Sequence, residues 1–191
     1  NRRFTSDLPK SGKFVSVAFC SWSFCVLDYP VLLLFPAALA YAAVMDVFTM
    51  TIPNRISLAI LAMFPIAALL AGLSMHAALM HLAAFAVVLA FGIALFAFNL
   101  LGGGDAKLLA VSALWIGTDQ LIPFIAYVTV AGGALALMIL AVRSIPAGAY
   151  QLPEWAARLH KAGNGIPYGL AICAGGLFVY PKTALFKLLI V

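Results

Sequence analysis

The chain has 191 residues, 65% of them apolar and 9% charged, with a net charge of +5, and its mean hydropathy is +1.12. A soluble domain of this length needs more polar surface than that to cover its core, so a water-soluble globular fold is excluded. The basic residues sit in short loops between apolar runs, which argues against nucleic acid as a partner.

Residues 1–27 form an N-terminal extension that carries Arg2, Arg3, Lys10 and Lys13 ahead of the apolar run 14–27. That run is shorter than the ~20 residues a crossing needs. It has the length of a signal-peptide core, but no Ala-x-Ala-like cleavage site follows it, and its side of the membrane stays open. Residues 28–191 read as a single membrane domain. Within it the runs 29–45, 56–73, 77–100 and 121–142 are each long enough to cross a hydrocarbon core of roughly 30 Å. The runs 108–116 and 168–180 are shorter and need their flanks to span. Lipid offers no partner for an open backbone, so each run must be helical. The expectation is an all-α integral membrane protein, a bundle of about six transmembrane helices lying in the lipid bilayer.

Arg55, Lys107, Arg143, Arg158 and Lys161 fall after the first, third and fifth runs, whereas the connections at 74–76 and 118–120 carry no Lys or Arg. The positive-inside rule puts the first set in the cytoplasm. The N-terminal basic residues would then lie outside, unless 14–27 crosses as well. The long connection 143–167 holds Leu152, Trp155, Ala156 and Leu159 at i, i+3, i+4 and i+7, with Pro153 suited to a first helical turn and Gly163 to a C-terminal cap. It reads as an amphipathic segment at the cytoplasmic interface, serving either as an anchor for the loop or as a gate for substrate. Cys20, Cys25 and Cys173 make no metal-ligand pattern and read as small apolar residues in or near helices. His76, His81 and His160 are scattered. Neither a metal nor a cofactor is expected.

The acidic residues number six, so each can be weighed. Asp7, Asp28, Asp119 and Glu154 sit in the tail or in loops and read as solvated. Asp46 ends the first long run, and Asp105 follows Gly102-Gly103-Gly104 and opens the next helical run. Carboxylates at membrane depth are costly, which makes function their default explanation. Two crossings separate the pair, so both return to one membrane face, and helices packed roughly 8–10 Å apart bring facing side chains within reach. Two carboxylates sharing a site cannot both ionise easily, so one keeps its proton. The ionised partner can then take a proton from an attacking water while the protonated partner polarises a peptide carbonyl. The glycines would free the backbone for a tight turn or for the close approach of a substrate strand beside Asp105. The helix start there, with Lys107 nearby, would favour a carboxylate. A flexible interhelical turn with a capping aspartate explains the same run equally well.

Asp46-Val47-Phe48-Thr49-Met50-Thr51-Ile52-Pro53-Asn54 resembles the first signature of the type IV prepilin peptidases, an aspartate followed by Ile-Pro-Asn. Gly102-Gly103-Gly104-Asp105-Ala106-Lys107-Leu108 resembles the second, Gly-x-Gly-Asp followed by Lys, and Gly165-Ile166-Pro167-Tyr168-Gly169 before the last helix is also similar. The resemblance is closest to the small peptidases of tight-adherence (Flp-type) pilus systems. It implies Asp46 and Asp105 as the catalytic pair, with Pro53, Asn54, Gly102, Gly104 and Lys107 as supporting motif positions. It implies no cofactor, a Flp-type pilin precursor as substrate, and cleavage of a short basic leader at the cytoplasmic face of a bacterial inner membrane. Larger family members carry Cys-x-x-Cys motifs in a cytoplasmic insertion and methylate the new N-terminus. This chain has no Cys-x-x-Cys, so methyl transfer is not implied. The Pro-Ala-Leu element of presenilin-like proteases, the His-Glu-x-x-His of zinc site-2 proteases and the Gly-x-Ser-Gly of rhomboids are absent. The non-enzymatic alternative is a small transporter or membrane assembly component whose aspartates bind protons or cations.

Overall fold

The computed structural model describes residues 12–144 and 165–190, with side chains from residue 30 onward. The segment around Leu152, Trp155, Ala156 and Leu159 and the charged tail 1–11 lie outside the described residues. Among the described residues the chain is helical, without a strand. The helices are α1 (Gly12–Thr49), α2 (Asn54–Leu70), α3 (Met75–Ala97), α4 (Gly103–Ile116), α5 (Leu121–Arg143), α6 (Tyr168–Val179) and α7 (Ala184–Ile190). Single 3₁₀ turns at Thr118–Gln120 and Tyr180–Lys182 lead into α5 and α7.

Every apolar run expected from the sequence is a helix, and the chain adopts the all-α membrane fold. Three stretches are long and apolar enough to cross a membrane: Pro30–Thr49 of α1, Met75–Ala97, and Thr118–Arg143. A fourth arises if α6 and α7, bent by 56° at Thr183, count as one span. The remaining two runs give shorter helices than the expected six crossings require, because helix ends cut into them. α2 has 17 residues and α4 has 14; at ~1.5 Å per residue, α4 covers only ~21 Å of a ~30 Å core.

α4 differs from the others in its surroundings. Ala106 and every residue from 108 to 116 are buried, and α2, α3 and α6 pack around it. A helix apolar on all sides belongs in an interior. The outer helices instead present large apolar side chains outward, with Leu69 81% and Ile122 82% exposed; such faces suit lipid and not water. Close packing depends on small residues, as expected where lipid supplies no hydrophobic drive between helices. A Cβ at Gly176 would lie 2.6 Å from Leu39 Cδ1 of α1, and one at Gly175 would lie 2.6 Å from Val128 Cγ2 of α5. One end of the bundle is held by aromatic rings. Trp115 stacks on Phe35 at 5.0 Å between centroids, and its Nε1 donates to the Ile60 carbonyl at 3.0 Å. His81 lies within hydrogen-bond distance of the Leu114 carbonyl, Nδ1 to O being 2.7 Å. It ties α3 to the end of α4 and is a structural histidine.

Candidate active site

At the other end of the bundle four chain segments meet: the end of α1, the link into α2, the start of α4 and the start of α6. α1 stops just past Asp46. Met50 takes a left-handed conformation, φ 55°, and its N–H donates to the Asp46 carbonyl at 2.8 Å, a helix ending usually left to glycine. The chain then passes through buried Ile52 to Pro53, which is the extended N-cap of α2. Asn54 opens that helix.

Asp46 is 5% exposed, and its Oδ2 accepts the backbone N–H of Gly169 at 2.7 Å. Gly169 is the second residue of α6, where a helix has N–H groups without intrahelical partners. Asp105 occupies the first turn of α4, with Gly102 as N-cap. Its carboxylate folds back toward that cap, so a Cβ on Gly102 would lie 2.7 Å from Asp105 Oδ2. Asp105 Oδ1 is buried and has no hydrogen-bond partner among the described residues. A buried acceptor without a protein donor is unusual and suits an oxygen that works on water, a proton or a substrate. The link that follows Asp46 packs on the start of the helix that carries Asp105: Ile52 lies against Gly104 and Asn54 is bonded to Lys107. The structure thus places the two aspartates singled out by the sequence at the same end of the bundle. Among the described residues, no group of three or more His, Cys, Asp or Glu gathers in a metal-binding cluster.

The supporting positions fall differently from what their spacing suggests. Gly102 to Gly104 make no left-handed turn; the positive-φ residue before α4 is Asn99, at 56°. Gly103 and Gly104 are helical. A Cβ on Gly104 would lie 3.2 Å from Ile52 Cβ and 3.5 Å from Ile52 O. The close approach that this glycine permits within the protein is to its own α1–α2 link. Lys107 lends its ammonium to Asn54 and not to Asp105: Nζ donates to Asn54 Oδ1 at 3.0 Å. That bond joins the Ile-Pro-Asn element to the Gly-x-Gly-Asp element. Because the partners act as a unit, Lys107→Met and Asn54→Ala should lower the detergent melting temperature by similar amounts. The double variant should melt no lower than the worse single one; additive losses would mean the bond contributes nothing.

The sequence gives Gly169 no role of its own, but it closes the Gly165-Ile166-Pro167-Tyr168-Gly169 stretch that resembles the prepilin peptidases, two residues after Pro167 at a helix start.

The family model described as the type IV leader peptidase family matches residues 33–137, more than half of the 191-residue chain. The match takes in both aspartates and runs from α1 into α5. The chain belongs to the type IV leader peptidase family. No curated protein and no solved structure matches it. Membership makes the protein a peptidase whose substrate is of the prepilin type in general, and its long apolar helices make it a membrane protein. In this leader peptidase the α6 start that touches Asp46 lies beyond the matched residues.

Proposed function

We propose that this leader peptidase is an aspartic endopeptidase that removes the short basic leader of a Flp-type prepilin at the cytoplasmic face, with Asp46 and Asp105 as its catalytic pair. The observation that supports this reading is the placement of both aspartates at one end of the bundle, where the Ile-Pro-Asn link after Asp46 packs on the Gly-x-Gly-Asp start of α4 through Ile52–Gly104 and Lys107–Asn54. In the pair, one carboxylate holds a proton and the other is ionised. The ionised one accepts a proton from water as the water oxygen attacks the scissile carbonyl. The protonated one donates to the carbonyl oxygen, and a proton passes to the leaving amine as the C–N bond breaks. Water and peptide become a carboxylic acid and an amine, and the pair returns to its starting protonation.

The site adjoins Arg55 and Lys107, whereas at the opposite end the 118–120 turn carries no Lys or Arg and Lys182 follows α6. This asymmetry supports a cytoplasmic active site through the positive-inside rule. The test uses a background in which Cys20, Cys25 and Cys173 are replaced. Ser74→Cys and Gln120→Cys should react with an impermeant thiol reagent added outside intact cells. Thr51→Cys should react only after the cells are opened. The reverse pattern would put the aspartates on the wrong side for a cytoplasmic leader. Cleavage itself is read by co-expressing a Flp-type prepilin and determining the new N-terminus by mass spectrometry. A product cut elsewhere than between leader and apolar helix would overturn the substrate assignment.

A further inference from the structure

We infer that Gly169 is a positioning residue for the peptidase reaction, acting on Asp46 by its backbone N–H and by its lack of a side chain. The inference rests on the reading of Asp46 as catalytic and adds a part of the site that lies outside the family-matched residues 33–137. Two independent features of the same residue point to it. Its N–H donates to Asp46 Oδ2 at 2.7 Å, across 123 positions of sequence. A Cβ there would lie 2.8 Å from that same oxygen, 3.0 Å from Asp46 Cβ and 3.2 Å from Cγ. One face of the carboxylate is therefore fixed by a donor, and the space beside it is filled by carboxylate in place of a methyl group.

The physical reason lies in where Asp46 sits. It is buried near the end of α1, and a carboxylate in such a place has several side-chain rotamers that differ in where the oxygens point. A backbone donor at a helix start belongs to a rigid element and cannot rotate away, so it selects one of them. With Oδ2 occupied, Oδ1 is the oxygen left for the reaction. Misplacing a reacting group by ~1 Å can cost ~10²-fold in rate. Substrate binding, which uses the length of an apolar helix, should hardly sense that displacement.

α6 offers its own control. Gly176 is packed as tightly as Gly169, with Leu39 Cδ1 2.6 Å from its Cβ position, but its neighbour is an apolar side chain away from the aspartates. Gly169→Ala and Gly176→Ala are compared as full-length protein in detergent. The substrate is a purified prepilin that the wild type shortens, and rates are taken per folded molecule. Gly169→Ala should lower kcat ~100-fold and leave KM within ~3-fold. Gly176→Ala should lower the melting temperature and leave kcat within ~3-fold of wild type. A second probe removes the donor without adding an atom: replacement of Gly169 by glycolate converts the amide to an ester. It should lower kcat in the same direction, and it decides the matter if the alanine variant does not accumulate. Unchanged kcat in the ester protein, or an equal loss of kcat in Gly176→Ala, would overturn the positioning role. The outcome for the function is separate: an active Asp46→Asn variant would remove the catalytic reading of Asp46 whatever Gly169 does.

Discussion

Asp46→Asn and Asp105→Asn should each reduce prepilin cleavage by ~10³-fold or more while the protein stays folded in the membrane. Asparagine keeps the shape of the side chain, so packing at the end of α1 and the start of α4 changes little. What it loses is the ability to exchange a proton. At position 46 the amide oxygen can still accept the Gly169 N–H now bonded at 2.7 Å, so the local geometry survives and the loss is chemical. At position 105 the buried oxygen that lacks a partner becomes part of a neutral amide, which burial tolerates better than a charge. Stability should therefore hold or rise even as activity disappears, a combination that a folding defect cannot give. Asp119→Asn is the control. It lies in the 3₁₀ turn before α5, away from the pair, and should leave cleavage within ~2-fold of wild type. Cleavage within ~10-fold of wild type in either site variant would exclude the acid–base pair.

The sequence made the membrane fold legible because apolar length is a direct reading of bilayer thickness, and runs such as 77–100 and 121–142 leave little else to form. The arrangement of helices was not legible in the same way. In a soluble bundle the apolar stripe marks the inner face of each helix. In lipid both the inner and the outer faces are apolar, so that stripe fades. Nothing in 108–116 distinguished α4, whose residues are nearly all buried, from α5, whose Ile122 is 82% exposed. The aspartates stood out because charge at membrane depth is rare and the two apolar runs between them were expected to return the chain to the same face. Their surroundings depend on contacts made by backbone and by absent side chains. The Gly169 N–H on Asp46 and Ile52 under Gly104 are such contacts, and residue type alone gives no sign of them. Lys107 was a third case. Its charge suggested a partner in Asp105, yet its long side chain reaches Asn54, the neutral end of the other motif.

The glycines before Asp105 should separate by mechanism when replaced. Gly102→Ala puts a methyl group 2.7 Å from Asp105 Oδ2, so the carboxylate must swing away from the helix cap. The backbone at Gly102 is extended, φ −66° and ψ 142°, which alanine adopts freely, although glycine is the better N-cap and its exchange for alanine costs up to ~1 kcal/mol. Specific activity should fall ~10–100-fold, with a melting temperature little below wild type. Gly104→Val acts on a different neighbour. Its Cβ would sit 3.2 Å from Ile52 Cβ, and the two further methyl groups of valine would press on the link that carries the chain from Asp46 to Asn54. Overpacking of this kind costs ~1–3 kcal/mol. Both melting temperature and activity per folded molecule should drop, and Gly104→Ala should be milder in each, because it adds one methyl at a distance a small shift can relieve. A further variant checks the cause: Ile52→Ala in the Gly104→Val background makes room at the contact and should restore part of the stability. If the valine protein melted like wild type but failed to cleave, the glycine would be needed for substrate approach and not for packing on Ile52. Full specific activity in Gly102→Ala would show that the folded-back position of Asp105 is not the one that works.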